Sequence, residues 1–303
     1  MPHPRRFRFG VNCTTTSLDE LQETARKAEA TGFDTLIVQD HFASQLAPMP
    51  ALVAAAGVTS RLRLATLVLD NDFRHPAVVA KEAASVDVLS RGRMELGLGA
   101  GWLRADYIKA GIPFDPPAVR MARLAEAVQI CKACFCSEQP VTFRGEYYQL
   151  RDLDPLPRPI QKPRPPIMIG GRQRRMLSLA AREADIVGIS LLDRRGPDQA
   201  PPPTFAQKVE WVRQAAGARF ESIELHVNAS VVDITERGEL AVEQLAARTG
   251  QTPAEALASP AALVGSIAGI LEKLDAYRAQ YGVSYWVVHA RYMDVLAQVI
   301  SRL

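Results

Sequence analysis

LRLATLVLDNDFRHPAVVAKEAASVDVLSRGRMELGLGAG, residues 62–101 of the chain, contains two apolar runs separated by a segment of helical character. The runs Leu62–Leu69 and Arg93–Leu98 are nearly continuous in apolar residues, as strands are when both faces of a parallel sheet are covered. Between them, Pro76 stands at the first turn of a helix that we expect to end at Leu89. Parallel strands need such a crossover, so this stretch predicts one β/α/β unit.

The same alternation recurs along the rest of the chain. Eight strand candidates share the apolar character of these two runs: Phe7–Val11, Thr35–Val38, Leu62–Leu69, Arg93–Leu98, Ile167–Ile169, Asp185–Ile189, Ile223–Val231 and Val283–Val288. Almost every candidate is followed by a segment with helical periodicity. Eight β/α units favour a closed sheet, and we therefore predict a (β/α)8 TIM barrel with insertions, forming a single domain over residues 1–303.

Two segments interrupt this alternation and are expected to carry substrate contacts. Val141–Leu150 resembles a short β excursion that turns near Gly145, and the proline-rich Pro155–Pro166 that follows cannot be helical. Arg194–Pro203, after the sixth strand, is rich in Arg, Pro and Asp and is expected to be mobile. Loops of this kind vary most between related proteins, so they carry no motif that identifies the substrate.

Composition and charge argue against several classes of protein. The chain is 48% apolar and 23% charged, which is ordinary for a soluble globular protein. The net charge of +3 comes from basic residues interleaved with acidic ones, so we expect no nucleic-acid partner. No apolar run is long enough to span a membrane, and none follows Arg5-Arg6 as in a signal peptide. The four cysteines are expected to be reduced, which predicts a cytoplasmic protein.

Residues just past the carboxyl ends of barrel strands build the active site. The candidates at these positions are Asn12, Cys13, Gln39, Asp40, His41, Leu69, Asp70, Asn71, Gly99, Ala100, Gly101, Trp102, Gly170, Gly171, Arg172, Ser190, either Asp233 or Asn228, and His289. They include no lysine for a Schiff base, and the sequence has neither a zinc-binding His-Glu-x-x-His nor a hydrolase Gly-x-Ser-x-Gly motif. Cys131, Cys134 and Cys136 fall in one predicted helix and are interpreted as core or surface thiols, so no metal site is predicted.

Five motifs occur in order between Phe7 and about Ile189: Val38-Gln39-Asp40-His41-Phe42, Thr66-Leu67-Val68-Leu69, Phe73-Arg74-His75-Pro76-Ala77, Leu89 through Trp102, and Pro166-Ile167-Met168-Ile169-Gly170-Gly171. Together they resemble the luciferase-like superfamily, and within it the coenzyme F420 (deazaflavin) branch. The resemblance implies an oxidoreductase that uses coenzyme F420 for hydride transfer to or from a small organic substrate at the barrel mouth. It also implies a homodimer.

The resemblance implies roles for residues after the second and third strands. Asp40 would bind the polar edge of the deazaflavin ring, and His41 would act as the catalytic acid or base, because an imidazole exchanges protons near neutral pH. The alternative for a lone histidine at a strand end is an ordinary hydrogen-bonded residue. Leu67 and Val68 match the place where the family has a non-prolyl cis peptide behind the ring; an ordinary trans pair is the alternative.

Two glycine-containing segments are further candidates for cofactor binding. Gly99, Ala100 and Gly101 would border the flavin side chain, although a purely structural tight turn explains the same glycines. Gly170, Gly171 and Arg172 precede a predicted helix, whose first N–H groups would hold the cofactor phosphate. The alternative for this arginine is a solvated basic helix face.

The chain also departs from the pattern of the deazaflavin sugar-phosphate dehydrogenases. Trp102 and Thr16 stand where those enzymes have catalytic glutamates, which argues against sugar-phosphate oxidation and leaves the proton partner of His41 unassigned. Two other functions therefore stay open. One is an FMN-dependent luciferase-like monooxygenase, and the other is a catalytically silent barrel that only binds a ligand.

Overall fold

The structure, a computed structural model, describes residues 5–191, 202–234 and 239–303. Its strands are β1 (Arg8–Asn12), β2 (Thr35–Val38), β3 (Arg63–Thr66), β4 (Leu69–Asp70), β5 (Met94–Gly99), β6 (Val141–Arg144), β7 (Gln149–Leu153), β8 (Ile167–Gly171), β9 (Ile186–Ile189), β10 (Glu224–Ala229), β11 (Val231–Asp233), β12 (Ala262–Val264) and β13 (Val283–His289). Its α-helices are α1 (Leu18–Ala30), α2 (Pro48–Ala56), α3 (Pro76–Leu89), α4 (Arg104–Ala110), α5 (Pro117–Cys136), α6 (Arg174–Glu183), α7 (Phe205–Ala216), α8 (Glu239–Thr249), α9 (Pro253–Ala258), α10 (Ile267–Tyr281) and α11 (Met293–Ile300).

The chain divides into two compact units. The first unit contains Met1–Asn12, Lys27–Thr35 and Gly170–Leu303. Within it, β13 pairs in parallel with β1 on one side and β10 on the other, and β10 pairs in parallel with β9. Tyr285, Trp286 and Val287 on β13 are almost completely buried. Burial on both faces of these strands explains their continuous apolar sequence.

The second unit contains Cys13–Arg26 and Leu36–Ile169. Within it, β5 pairs in parallel with β3, β4 and β8. Both β3 and β4 pair with β5. The two residues between them, Leu67 and Val68, are joined by a cis peptide bond. The predicted strand Leu62–Leu69 is therefore one barrel strand in two segments.

Counting β3 and β4 as one strand, eight parallel strands alternate with helices in the described residues. This is the (β/α)8 TIM-barrel fold class that the sequence predicts. The single domain over residues 1–303 stays a prediction, because each unit is compact by itself.

The predicted strand Ile223–Val231 ends earlier than expected. β10 stops at Ala229, and β11 pairs in parallel with β12 in a separate two-stranded sheet. The reason is a change of hydrogen-bond partner, since the N–H groups of Ser230 and Val231 donate to the carbonyl of Ala261 at 2.8 and 3.1 Å. An apolar strand sequence alone does not say which neighbour it pairs with.

Polar side chains near both ends of helix α3 make hydrogen bonds to backbone groups. Pro76 occupies its first turn, and the His75 side chain accepts a hydrogen bond from the Ala77 N–H at 3.3 Å, so His75 is the N-cap. At the other end, the fully buried Asp87 accepts hydrogen bonds from the backbone N–H groups of Ile160 and Gln161 at 2.7 and 3.0 Å. That carboxylate anchors the proline-rich connection, which is non-helical as predicted.

The predicted β excursion is present as the antiparallel pair β6–β7, held by a carboxylate from α5. Glu126 accepts hydrogen bonds from the backbone N–H groups of Glu146, Tyr147 and Tyr148 at 2.7, 3.0 and 3.0 Å. A Cβ atom on Gly145 would displace that carboxylate from these hydrogen bonds, which favours glycine at the turn.

At the start of α1, the Glu20 N–H donates to the Ser17 hydroxyl at 3.3 Å, but the Glu20 carboxylate accepts from the Thr15 hydroxyl at 2.5 Å. The Ser17 hydroxyl therefore caps the first turn of α1, and the Ser17 N–H donates to the Thr15 hydroxyl at 3.0 Å instead of to Glu20.

Within the described residues, every helix is too short or too polar to cross a membrane. The predicted loop Arg194–Pro203 lies, up to residue 201, outside the described residues.

Candidate active site in the second unit

His41 stands three residues after the end of β2, and its imidazole contacts a buried carboxylate. His41 Nδ1 lies 2.7 Å from Asp106 Oδ2, which belongs to the first turn of α4. The side chain of His41 is 23% exposed and that of Asp106 is 6% exposed. The Trp102 ring, which is 69% exposed, meets the imidazole edge-on with 5.8 Å between ring centroids. His41 is therefore held on one side and accessible on another.

Asp40, the neighbour of His41, is buried and already has strong partners. The Arg74 guanidinium donates to both of its oxygens, at 2.6 and 3.2 Å, and the Asp70 N–H donates to Oδ2 at 3.0 Å. A bidentate, charge-assisted pair of this kind fixes the carboxylate in one orientation. Asp40 thus joins the end of β2 to the loop after β4, and direct contact with the cofactor ring stays a prediction.

Two further carboxylates, those of Asp70 and Asp72, lie next to Asp40 and share the Tyr107 hydroxyl. The Tyr107 hydroxyl donates to Asp70 Oδ1 at 2.8 Å and is 3.1 Å from Asp72 Oδ2. Burial raises the pKa of Asp70 to about 6, opposed by hydrogen bonds from the Asp72 N–H and Tyr107 and reinforced by the charges of Asp72 and Asp40. Burial also raises the pKa of Asp72, which the Arg123 guanidinium opposes. Burial and the two carboxylates raise the pKa of Tyr107, so its hydroxyl stays a donor.

Two arginines of α5 contact different parts of this region: Arg120 holds the loop that follows β5, and Arg123 pairs with two carboxylates. Arg120 donates to the carbonyl of Ala100 at 2.7 Å and also to that of Gly101. Its guanidinium stacks over the Phe114 ring at 4.2 Å. Arg123 pairs with Asp72 at 3.1 Å and with Asp115 at 2.8 Å. The backbone at residues 100–101 is therefore positioned by the Arg120 side chain of α5.

The glycines of β5 and its loop have causes inside the protein. A Cβ atom on Gly97 would lie 1.9 Å from the Thr66 carbonyl oxygen, and one on Gly99 would lie 2.6 Å from Val68 Cγ2. Gly101 has φ of 73°, and a Cβ atom there would collide with the Tyr107 hydroxyl at 1.9 Å. Of the two explanations given for Gly99 and Gly101, the structure supports tight internal packing. Cofactor contact at Gly99, Ala100 and Gly101 stays a prediction.

Leu67 and Val68 have the geometry that the resemblance implies, since the peptide bond between them is cis. The preceding Thr66 is fully buried, and its hydroxyl donates to the Gly97 carbonyl at 2.9 Å and accepts from the Gly97 N–H at 2.8 Å. These two bonds join β3 to β5 just before the interruption. A cofactor contact at Leu67 and Val68 stays a prediction.

Gly170, Gly171 and Arg172 belong to the first unit. The Gly171 carbonyl accepts from the Ser190 N–H at 2.8 Å, and a Cβ atom on Gly171 would lie 2.6 Å from Met176 Cγ. Gly171 is therefore needed for close packing of β8 against α6. Arg172 is exposed, and the Gln173 side chain makes no capping hydrogen bond at the start of α6.

The histidines of β10 and β13 do different things. His226 is 1% exposed and packs edge-on against Tyr285, and neither of its ring nitrogens has a hydrogen-bond partner among the described residues. Burial and, to a smaller extent, the charge of nearby Arg8 lower the pKa of His226 to about 3. His289 accepts from the Arg291 N–H at 3.2 Å and caps a short helical turn. His226 is thus a core residue, and His289 is a capping residue.

The motifs at strand ends can now be compared with known proteins. Residues 6–286 match the luciferase-like monooxygenase family. The chain belongs to this family. The fold agrees: coenzyme F420-dependent tetrahydromethanopterin reductase from Methanopyrus kandleri is similar with a TM-score of 0.76 and 20% identity, over 98% of this chain and 99% of that one.

Two curated relatives show the range of cofactors within the luciferase-like family. F420-dependent glucose-6-phosphate dehydrogenase of Microbacterium testaceum (strain StLB037) is 33% identical over 193 residues, which are 61% of this chain and 56% of the relative. FMNH2-dependent dimethylsulfone monooxygenase of Pseudomonas fluorescens (strain Pf0-1) is 28% identical over 228 residues, 72% of this chain and 58% of the relative. The chain thus spans little more than half the length of these relatives. The match over residues 6–286 confirms the predicted luciferase-like family.

The sequence predictions do not include most of the polar and charged residues near His41. Asp106, Tyr107, Arg120 and Arg123 lie on α4 and α5, beyond the strand ends at which the sequence predicts site residues. Arg74 was seen only as part of a motif. Charged residues within a largely apolar helix such as α5 are a signal that could have directed attention to Arg120, which is 6% exposed.

Proposed function

We propose that the chain is an oxidoreductase that uses coenzyme F420 for hydride transfer to or from a small organic substrate. The observation that carries this proposal is His41, a partly exposed imidazole at the end of β2 whose Nε2 has no hydrogen-bond partner among the described residues. Such a nitrogen can take or return a proton. The 33% identity to an F420-dependent dehydrogenase supports this choice of cofactor.

The residues present suit a deazaflavin. When bound, coenzyme F420 supplies the hydride chemistry, and the protein supplies binding, orientation and proton transfer. In the second unit, Asp40, the Leu67–Val68 bulge and the loop Gly99–Gly101 would bind the ring system. Asp40 is fixed for this by Arg74, and the loop carbonyls are fixed by Arg120.

The phosphate would bind in the first unit, at Gly170, Gly171 and Arg172. The N–H groups at the start of α6 and the helix dipole favour an anion there, and the exposed arginine adds positive charge. A polyanionic cofactor tail suits this charge better than a neutral ligand does.

An FMN-dependent monooxygenase is the second candidate. It is supported by the FMNH2-dependent relative, which aligns with 72% of this chain. Trp102 favours neither cofactor. A catalytically silent ligand-binding barrel is the third possibility, and it would bind neither cofactor with the affinity of an enzyme.

Titration of the purified protein with coenzyme F420 and, separately, with FMN distinguishes these functions. Tight quenching of deazaflavin fluorescence with no FMN binding is the expected result. Tight binding of FMN alone would favour the monooxygenase, and binding of neither would overturn both.

His41→Ala tests the catalytic assignment. It should keep F420 affinity within several-fold and slow turnover at least about 100-fold, with a substrate identified from a panel of alcohols, ketones and enones. His75→Ala is the matched control, because it removes an imidazole that caps α3. Unchanged turnover in His41→Ala would show that His41 is not the acid or base.

The small-molecule substrate, the cytoplasmic location and the homodimer are also proposals. Exposed apolar side chains on α2 and α3, including Val53 and Val78, line a groove together with Met49, which supports self-association. Light scattering of the purified protein measures its mass in solution and would reveal a monomer.

A further inference from the structure

The imidazole of His41 directly contacts the carboxylate of Asp106. The Nδ1–Oδ2 distance of 2.7 Å is that of a charge-assisted hydrogen bond. Asp106 is 6% exposed on its side chain, so bulk water competes little for the bond. The two residues are 65 positions apart, on the loop after β2 and on α4.

This bond determines which ring nitrogen carries the proton. An ionised carboxylate only accepts hydrogen bonds, so a neutral imidazole facing it must carry its hydrogen on Nδ1. The lone pair then lies on Nε2, which has no partner among the described residues. A hydrogen bond to a charged group favours this tautomer by about tenfold or more.

The helix that carries Asp106 is itself firmly anchored. The next residue, Tyr107, is completely buried, and its hydroxyl contacts the carboxylates of Asp70 and Asp72. Its ring packs against Phe73 and Phe114 at centroid distances of 5.2 and 4.7 Å. The backbone of α4 at Asp106 is therefore determined by packing at Tyr107.

We infer that Asp106 is the positioning residue of His41, which holds the imidazole in the Nδ1–H tautomer and directs Nε2 toward the reacting groups. This inference rests on the proposed function, in which His41 is the acid or base. Asp106 acts through His41 and does not touch the substrate. The pairing also gives His41 the proton partner that Thr16 and Trp102 cannot provide, because neither carries a carboxylate.

The tautomer can be read without any substrate or cofactor. The chain has five histidines, so a long-range 1H–15N spectrum of histidine-labelled protein is simple, and His41→Ala assigns the His41 signals by difference. Wild-type protein at neutral pH should show the Nδ1–H tautomer for His41. Observation of the Nε2–H tautomer in wild-type protein would overturn the inference without any variant.

Three substitutions and one control then test the role of the carboxylate. Asp106→Ala should reduce the preference for Nδ1–H at least about tenfold, and Asp106→Asn, whose amide can donate, should shift His41 toward Nε2–H. Asp106→Glu keeps the carboxylate and should restore much of the preference. Asp19→Asn, an exposed aspartate of α1, is the control and should leave the spectrum unchanged. A spectrum identical to wild type in Asp106→Asn would refute the inference.

Activity separates the failure of this inference from the failure of the proposed function. In the F420 assay, Asp106→Asn should lower kcat by about 100-fold or more while KM and F420 affinity change little, and Asp106→Glu should recover part of the loss. Full activity of Asp106→Asn beside an inactive His41→Ala would overturn the role of Asp106 alone. Absence of F420 binding by wild type would overturn the proposed function and leave the tautomer result standing.

Discussion

Replacing Asp70 by asparagine should change how the stability of the protein depends on pH. Asp70 is 8% exposed, and burial raises its pKa from 3.8 to about 6. The folded protein therefore holds this proton more tightly than the unfolded chain does. The contribution of Asp70 to stability is fully present below about pH 4 and is lost as the pH rises through about 6. Asparagine keeps the oxygen that accepts from Tyr107 and from the Asp72 N–H, but it does not ionise.

The size of the effect follows from the pKa change. A rise from 3.8 to about 6 corresponds to about 3 kcal/mol, because each tenfold change in a protonation equilibrium is worth about 1.4 kcal/mol. Between about pH 4 and pH 7, Asp70→Asn should therefore gain about 3 kcal/mol in unfolding free energy relative to wild type. Urea unfolding followed by circular dichroism at each pH, at constant ionic strength, measures this difference.

Asp19→Asn serves again as the control, since Asp19 is exposed and its loss should leave the pH dependence as in wild type. Parallel stability curves for wild type and Asp70→Asn over this pH range would refute the assignment of a raised pKa to Asp70. A variant that loses stability relative to wild type with rising pH would contradict the sign of the effect.

Three further substitutions test the core and the buried charges. His226→Leu should reduce the loss of stability on acidification below about pH 6.5, because the unfolded chain binds a proton on this histidine there while burial keeps it neutral in the folded protein until about pH 3; equal slopes would contradict this. Arg74→Gln leaves the Asp40 carboxylate buried without its guanidinium partner, and we expect the unfolding free energy measured in urea to fall by about 3–5 kcal/mol. A fall of less than about 1 kcal/mol would mean that the ion pair contributes little to stability. Gly97→Ala places a Cβ atom 1.9 Å from a backbone oxygen and should lower the unfolding free energy by about 1–3 kcal/mol or more. Gly57→Ala, with 3.6 Å between its Cβ atom and the nearest atom, should be nearly neutral. Similar urea unfolding midpoints for both variants would argue against the packing explanation.

The charged residues of the second unit form a connected set. Asp40 accepts from Arg74 and from the Asp70 N–H, and Asp70 shares the Tyr107 hydroxyl with Asp72. Buried carboxylates with well-placed donors fix their neighbours, because breaking one bond leaves a charge without compensation. This arrangement links the loops after β2 and β4 to α4, and it helps to hold the loop that carries His41.

Local sequence signals account for most of the elements. The helix Pro76–Leu89 and the strand Thr35–Val38 have the predicted ends, and His75 caps α3 from its position before Pro76. Continuous apolar runs, helical periodicity and proline placement act over a few residues, so the sequence shows them directly. The number of β/α units then led to the barrel class, and family motifs pointed to His41.

Contacts between residues far apart in the chain were decided only by the tertiary structure. Nothing in the order of residues shows that Asp106 faces His41, or that Arg74 binds Asp40 34 positions earlier. The same is true of the glycines of β5, whose need for a small side chain depends on the Thr66 carbonyl and the Val68 side chain of a neighbouring strand. The sequence by itself determined which elements form and where polar groups follow strands. Which polar groups meet, and how their pKa values shift, depends on burial and distance, and these exist only once the strands and helices are packed.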